Sequence, residues 1–288
     1  MKKRAIGYLF WDDEKSNKDL KAFKKEAKKK NIELVLFNLM KEINEEEIEA
    51  KAKKCDVVYN NSGEEFAIEF VKTLEELGKK VIEPSKSYYY TEDKWMSFLK
   101  CKEHKIPTPK TILLSENINL AKKELREFNS WPVILKRIEG SNGQYVEKAN
   151  DINQAEEIIK KFWKKESERL AIIAQEFISS PSYRIMLIDG KVVQTAIKDG
   201  TNWKHTGNSK KRFQKIKIDE PLKKLIDKVA NTMKIQICGI DLLKRNNDWL
   251  ILEVNSNPGL DFFETAREKL AGEILDFLIK ISNKKINK

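Results

Sequence analysis

Two apolar runs, 237–244 and 249–255, stand either side of a short polar insert, and this pairing constrains the fold more than any other feature of the chain. Runs of that length, rich in Ile, Leu and Val and broken by turn residues, form neighbouring antiparallel strands. Three polar side chains interrupt the apolar pattern: Asp241, Glu253 and Asn255. Glu253 and Asn255 are two positions apart, so on a strand they leave the same face. A three-residue turn of Asn246, Asn247 and Asp248 sets Arg245 opposite Trp249 and, counting back, Asp241 opposite Glu253. The three groups then converge, and a slip of one residue would separate them. Two carboxylates and an amide oxygen suit a hard cation such as Mg²⁺, which leaves part of its shell to water or phosphate oxygens. The plainer alternative turns the same groups to solvent on a half-exposed sheet.

The first ninety residues differ in character. Apolar runs at 5–10, 33–37, 56–59 and 80–82 alternate with amphipathic stretches at 16–30, 45–54 and 64–77, the last closed by Gly78. Strands and helices in that order give a small parallel sheet covered by helices. Residues 84–90 carry turn and aromatic residues and read as a boundary. A helix over 93–104 stops before Pro107 and Pro109, which cannot continue it. From Trp131 onward strands come in hairpins. Strands at 132–136 and 146–150 flank a glycine loop, a helix covers 151–165, and 170–177 is a strand. Strand 183–188 turns into 191–197 through Asp189-Gly190, and helices over 222–233 and 264–281 complete the pattern. The expected fold is an α/β head followed by an α+β body.

Within the body, strand 133–136 delivers Lys136 ahead of Gly140-Ser141-Asn142-Gly143. Glycines let backbone amides approach a phosphate, and the lysine adds a point charge. The order is neither GxxxxGK[ST] nor GxGxxG, so the loop alone also fits an ordinary hairpin turn. Lys94 stands at a predicted helix start, where an isolated lysine is ordinarily solvated.

A net charge of +11 is compatible with an acidic partner, yet the signs are interspersed as on a solvated lysine-rich surface. No aromatic-interleaved basic motif accompanies the charge, so nucleic acid is not an expected partner. Two histidines, His104 and His205, are too few for a histidine metal site and make a Ser-His-Asp triad unexpected. Cys55, Cys101 and Cys238 lack CxxC spacing and read as reduced, buried thiols. No apolar run approaches the roughly 20 residues of a membrane span, and the basic start passes into acids too soon for a signal peptide. A cytoplasmic protein without membrane contact is expected.

In their order, these landmarks resemble the ATP-grasp superfamily, and within it the RimK-like branch of amino-acid ligases. The resemblance runs from about Pro84 to Lys280. It begins with Asp93-Lys94 before Ile-Pro-Thr-Pro, Lys136 with its glycine loop, and Ala174-Gln175-Glu176-Phe177-Ile178. The strand Tyr183-Arg184-Ile185, a Lys/Asn segment at 203–212, Gly-Ile-Asp241-Leu-Leu and Leu-Glu253-Val-Asn255-Ser-Asn-Pro-Gly follow. What the resemblance implies is an ATP-grasp fold behind an N-terminal Rossmann-like pre-ATP-grasp domain at 1–90, with a glycine-loop lobe at 91–178 and a metal-binding lobe at 179–288.

It further implies that Lys94, Lys136, Ser141 and Asn208 contact ATP, and that Gln175, Glu176, Phe177 and Ile178 hold adenine through their backbone. Asp241, Glu253 and Asn255 would carry Mg²⁺, with Mn²⁺ as a substitute. Arg184 and Lys204 would be catalytic, Arg212 standing in reserve, and Ser256 with Pro258-Gly259 would lie at the acceptor pocket. Two positions depart from the family pattern: Tyr145 replaces a further loop glycine, and Ser182 replaces an Asp before the strand arginine.

The implied enzyme joins a carboxylate to an amine through an acyl-phosphate, releasing ADP and phosphate. Its partners would be a small molecule, acidic peptide or coenzyme and an amino acid such as glutamate, and related enzymes are often homo-oligomers. The alternatives are a small-molecule kinase on the same fold, or a nucleotide-binding regulatory module.

Overall fold

The structure, a computed structural model, describes residues 3–41, 44–140, 143–164, 170–199, 203, 212–260 and 266–283. Strands β1 (Arg4–Phe10), β2 (Ile32–Asn38), β3 (Val57–Asn60) and β4 (Val81–Ile82) form a parallel sheet in the order β2-β1-β3-β4. Successive residues of β1 serve opposite layers, as a sheet covered on both faces requires. Ile6, Tyr8 and Phe10 pack with Leu20 and Phe23 of α1 (Lys18–Lys29). Ala5 and Leu9 pack with Ala52 of α2 (Glu45–Lys54) and Val71 of α3 (Glu65–Glu76). Asn17 starts α1 by accepting the Leu20 amide at 2.8 Å.

Residues 84–90, read from the sequence as a boundary with no element of its own, cap and open helix α4 (Ser85–Glu92), which leads into α5 (Lys94–Glu103). Three consecutive tyrosines of modest helix propensity hide its period. Tyr88 is buried and donates to Ser62 O at 3.0 Å, so tertiary contacts support the helix. Asp93 caps α5, accepting the amides of Trp95 and Met96 at 2.8 and 2.9 Å.

The second sheet is antiparallel. It begins with β5 (Thr111–Leu113), which with α6 (Ile118–Phe128) lies in a stretch left unassigned by the sequence pattern. Strands β6 (Val133–Arg137), β7 (Val146–Ala149) and β8 (Ile172–Glu176) complete the order β5-β8-β6-β7. Leu125 of α6 and Ile159 and Phe162 of α7 (Ile152–Lys164) pack on Val133, Leu135 and Ala174.

The third sheet comprises β9 (Ser182–Ile188), β10 (Lys191–Asp199), β11 (Arg212–Gln214), β12 (Ile237–Arg245) and β13 (Asp248–Asn255). Its order is β11-β10-β9-β12-β13, antiparallel throughout. Asp189 and Gly190 both take positive φ, +53° and +71°, as the two-residue hairpin turn demands. Leu222, Ile226 and Met233 of α8 (Glu220–Met233) cover one face. On the other face Met186 and Ile188 join the core of the first sheet, and so does α9 (Arg267–Ser282) through Leu270, Ile274, Leu278 and Ile281.

The β12–β13 hairpin corrects one expectation and keeps its consequence. The turn has two residues, not three: Asn246 sits at φ +53° and Arg245 faces Asp248. Asn tolerates the left-handed conformation that such tight turns need. That register alone would set Asp241 opposite Leu252. A bulge at Leu252 shifts it by one, with Leu242 opposite Ile251 and Asp241 opposite Glu253.

Where β4 ends, Glu83 is almost fully buried and its Oε1 accepts the amides of Gln236 at 3.0 Å and Ile237 at 2.6 Å. This ties the first sheet to the start of β12. Burial pushes the Glu83 carboxyl up to about 8. A folded value above the unfolded one gives stability that is complete below roughly pH 4.3 and lost as pH rises through the folded value. The melting temperature of the wild type is therefore expected to fall more steeply between about pH 5 and 8 than that of Glu83→Gln, which keeps both acceptor bonds without titrating. Parallel curves for the two proteins would refute the assignment. Among the described residues, no helix is long and apolar enough to cross a membrane.

Candidate active site

A small cleft lies where α5 meets the second and third sheets. Lys94 and Phe98 line it from α5, Lys136 and Gln175 from β6 and β8, and Leu252 and Glu253 from β13. Residues far apart in sequence thus share one space, and four of them are among those the sequence singles out.

Lys94 opens α5 immediately after its cap, which fixes where its stem departs. Its Nζ donates to Gly140 O at 2.9 Å and lies 3.8 Å from Glu253 Oε1. Its backbone amide donates to Ile138 O at 2.9 Å, stitching the helix start to the approach of the glycine loop. Lys136 donates from Nζ to Gln175 Oε1 at 2.8 Å, and Gln175 Nε2 donates to Thr111 Oγ1 at 3.0 Å. Burial pulls the Lys136 ammonium down to about 8, against the attraction of Glu253. A lysine enclosed at that cost fits an anionic ligand, which would restore the charged form.

Arg184, Asp241 and Glu253 occupy paired positions across β9, β12 and β13. Arg184 Nη1 donates to Asp241 Oδ2 at 2.7 Å, in a pair whose side chains are each 10% exposed. Gly239 makes this approach feasible. A Cβ there would stand 2.6 Å from Arg184 Nε. Gly239→Ala is accordingly expected to displace the guanidinium and lower stability by about 1–3 kcal/mol, the range for overpacking a filled site. An unchanged urea midpoint would show that the arginine moves aside at no cost.

Asn255 of β13 pairs with Gly239 of β12, and its Nδ2 is buried with no hydrogen-bond partner. Among the described residues, no cluster of three His, Cys, Asp or Glu side chains could enclose a metal ion. The expected donor set of two carboxylates and one amide still fits Mg²⁺, which is bound by few carboxylates and completes its shell with water and substrate phosphate.

The strand expected to hold a base is partly committed. Gln175 pairs with Thr111 on one side and Ile134 on the other, while the amides of Glu176 and Phe177 donate to Lys110 O at 2.9 Å and Pro132 O at 3.2 Å. Glu176 Oε1 accepts the Lys110 amide at 2.6 Å and also bonds Arg245. The Phe177 ring lies 4.9 Å beneath the Lys148 ammonium, and Ile178 follows half-buried.

Gly140 takes φ +124°, and Tyr145 takes φ +51° with its ring 4.2 Å from the Arg137 guanidinium and 5.6 Å, edge-on, from Phe162. The residue replacing a loop glycine thus anchors the far side of the loop. Ser182 is buried at the start of β9. Ser141, Lys204 and Asn208 lie outside the described residues, as does the side chain of Arg212.

Glu92 belongs to this region, although nothing in the sequence marks a lone acid at a helix end. Its Oε1 accepts the Ser256 hydroxyl at 3.1 Å, and burial pushes its carboxyl up to about 7. The Gln175 side chain also escaped the sequence pattern, which gave that residue only a backbone role.

Residues 91–278 match the RimK-like ATP-grasp domain family. The chain is 27% identical to the coenzyme gamma-F420-2:alpha-L-glutamate ligase of Methanocaldococcus jannaschii, across 75% of each chain. It is 30% identical to a probable alpha-L-glutamate ligase of Psychromonas ingrahamii, across 73% of this chain and 70% of that one. The structure of D-alanine–D-alanine ligase from Bacillus anthracis complexed with ATP covers 97% of both chains with a TM-score of 0.74 at 17% identity, a likeness of fold.

Proposed function

The chain belongs to the RimK-like ATP-grasp family and is an ATP-dependent, ADP-forming carboxylate–amine ligase, and on that premise we propose how its cleft carries the reaction and what it joins. The convergence of Lys94, Lys136 and Glu253 on one cleft carries this reading. Lys94 and Lys136 neutralise the phosphates of ATP, with Ser141 and Asn208 joining them. The base lies along 175–178, held by the backbone of Gln175, Glu176, Phe177 and Ile178 through groups other than the Glu176 and Phe177 amides, which bond Lys110 and Pro132. Asp241, Glu253 and Asn255 hold Mg²⁺ or Mn²⁺, which supplies positive charge to the outer phosphates. Arg184 acts on the substrate carboxylate from beside Asp241, with Lys204 assisting.

A carboxylate is a poor electrophile until phosphorylated. The γ-phosphoryl group passes to one of its oxygens, giving a mixed anhydride. The amine then attacks the acyl carbon and phosphate leaves with that oxygen. The protein's part is to position the groups and neutralise charge.

The names of the relatives support glutamate as the amine donor. The carboxylate belongs to a small molecule, coenzyme or acidic peptide, and the enzyme works in the cytoplasm as a homo-oligomer of chains divided at 1–90, 91–178 and 179–288. With oxygen-18 in the substrate carboxylate, label is expected in the released phosphate, and hydroxylamine is expected to trap a hydroxamate. AMP with pyrophosphate, label only in the amide, or a phosphorylated alcohol without hydroxamate would each overturn the mechanism.

A further inference from the structure

Strand β10 carries an irregularity beside the Arg184–Asp241 pair. Val192 pairs with Leu187 of β9, but the next pair is Gln194 with Met186, so Val193 is an extra, bulged residue. A regular strand would set Val193 opposite Met186 and turn Gln194 to the other face, over Ile185 and the apolar layer beneath α8. The bulge instead gives Gln194 the face of Arg184, which stands two residues before Met186. From Met186 the pairing continues to Gly239 of β12 and Asn255 of β13. One row across the sheet therefore reads Gln194, Met186, Gly239, Asn255, and the row beside it Ala196, Arg184, Asp241, Glu253. The Arg184 guanidinium lies over Gly239, in the row of Gln194.

Gln194 is 8% exposed, and among the described residues neither its Oε1 nor its Nε2 has a hydrogen-bond partner. Its paired neighbour is Met186, and Val193 before it packs on the apolar core of the first sheet. Burying both ends of a carboxamide unpaired is costly, and buried polar groups are ordinarily bonded. Bulges occur beside active sites, where they re-aim a side chain, and here the side chain re-aimed is the unpaired one. A carboxamide offers an acceptor and a donor in one plane, so it suits a group that presents a donor and an acceptor side by side, as a secondary amide does.

Strand order says which substrate carries that amide. The proposed metal ligands stand on β12 and β13, Arg184 stands on β9, and β10 lies on the far side of Arg184 from the metal. A carboxylate held at Arg184, with its phosphoryl donor on the metal side, extends its body toward β10. Adjacent strands are about 4.8 Å apart, little more than the roughly 3.8 Å between successive Cα atoms, so the amide reached is the one next to the reacting residue.

We propose that Gln194 is a specificity-determining residue for the carboxylate substrate: its Oε1 accepts the N–H, and its Nε2 donates to the carbonyl, of an amide that acylates the carboxylate-bearing residue. The assignment rests on the ligase reading and adds to it that the substrate is N-acylated.

The test titrates the full chain, in the presence of ADP and Mg²⁺, with N-acetyl-L-glutamate and with the acetate ester of L-2-hydroxyglutarate, in which oxygen replaces the amide N–H. The amide compound is expected to bind about tenfold more tightly, the contribution of one hydrogen bond. Gln194→Met, close to glutamine in size, is expected to remove that difference and to melt no lower than the wild type. Equal binding of the two compounds by the wild type, binding of neither, or a preference that survives in Gln194→Met would overturn the assignment. So would a variant that melts several degrees lower, since the carboxamide would then be bonded within the protein. The wild-type comparison decides without the variant. ATP-dependent hydroxamate formation from N-acetyl-L-glutamate separates the two readings. Its presence without amide preference removes only the role of Gln194, and amide preference without hydroxamate from any carboxylate removes the acyl-phosphate mechanism.

Discussion

Glu253→Gln is expected to cut turnover by about a hundredfold or more, the scale on which removing a charge-stabilising group acts, and to raise the Mg²⁺ concentration needed for half-maximal rate. The substitution keeps shape and removes one negative charge from the donor set. Folding should survive it. Glu253 is 31% exposed and its nearest cation, Lys94, lies at 3.8 Å, so the lost attraction contributes about 1 kcal/mol or less. The paired position behaves differently: in Asp241→Asn the buried Arg184 loses its counter-charge, and breaking such a pair costs about 3–5 kcal/mol. Rate against Mg²⁺ concentration, read beside urea midpoints, separates a ligand from a structural acid. Wild-type kinetics for Glu253→Gln at limiting Mg²⁺ would remove Glu253 from the metal site.

Lys136→Met is expected to weaken ATP binding by about tenfold to a hundredfold, the contribution of a charge-assisted hydrogen bond, while the nucleotide-free protein melts no lower. The apolar stem is largely retained. Burial already disfavours the ammonium, so its removal relieves a cost that offsets the loss of its bond to Gln175 Oε1. The sign of the pH dependence follows from a folded value of about 8. An unfolded lysine titrates near roughly 10.4, so the unfolded chain binds more protons between the two values and wild-type stability rises with pH there. The Met variant lacks that rise. Titration calorimetry with ATP and melting curves from about pH 7 to 10 test both parts, and unchanged nucleotide affinity would refute the phosphate role.

The residues that converge were legible because strand alternation leaves few options. Asp241, Glu253 and Asn255 interrupt apolar runs, and any register burying those runs on one side constrains the polar set. The way they converge was not legible. A two-residue turn and a bulge at Leu252 together give the pairing that a three-residue turn would give, and a bulge leaves no mark in a Leu-Glu-Val sequence. Lys94 and Lys136 were found through their neighbours in sequence, Asp93 and the glycines. Gln175 and Glu92 were not, because their partners, Lys136 and Ser256, are distant in sequence and local pattern carries no trace of them. Helix α4 was missed because Tyr88 is held by a loop, not by an amphipathic period.

Helix α9 has a bearing on the order in which the molecule can be completed. Ile6, Tyr8 and Val57 are made well before α9, yet their layer is finished by Leu270, Ile274 and Leu278. During synthesis that face waits in water until some two hundred further residues have emerged, a period in which exposed apolar surface invites association. The head is therefore translated well before it is sealed. A fragment ending near residue 90 would carry the waiting face permanently, and supplying residues 267–282 as a separate peptide is the direct way to cover it.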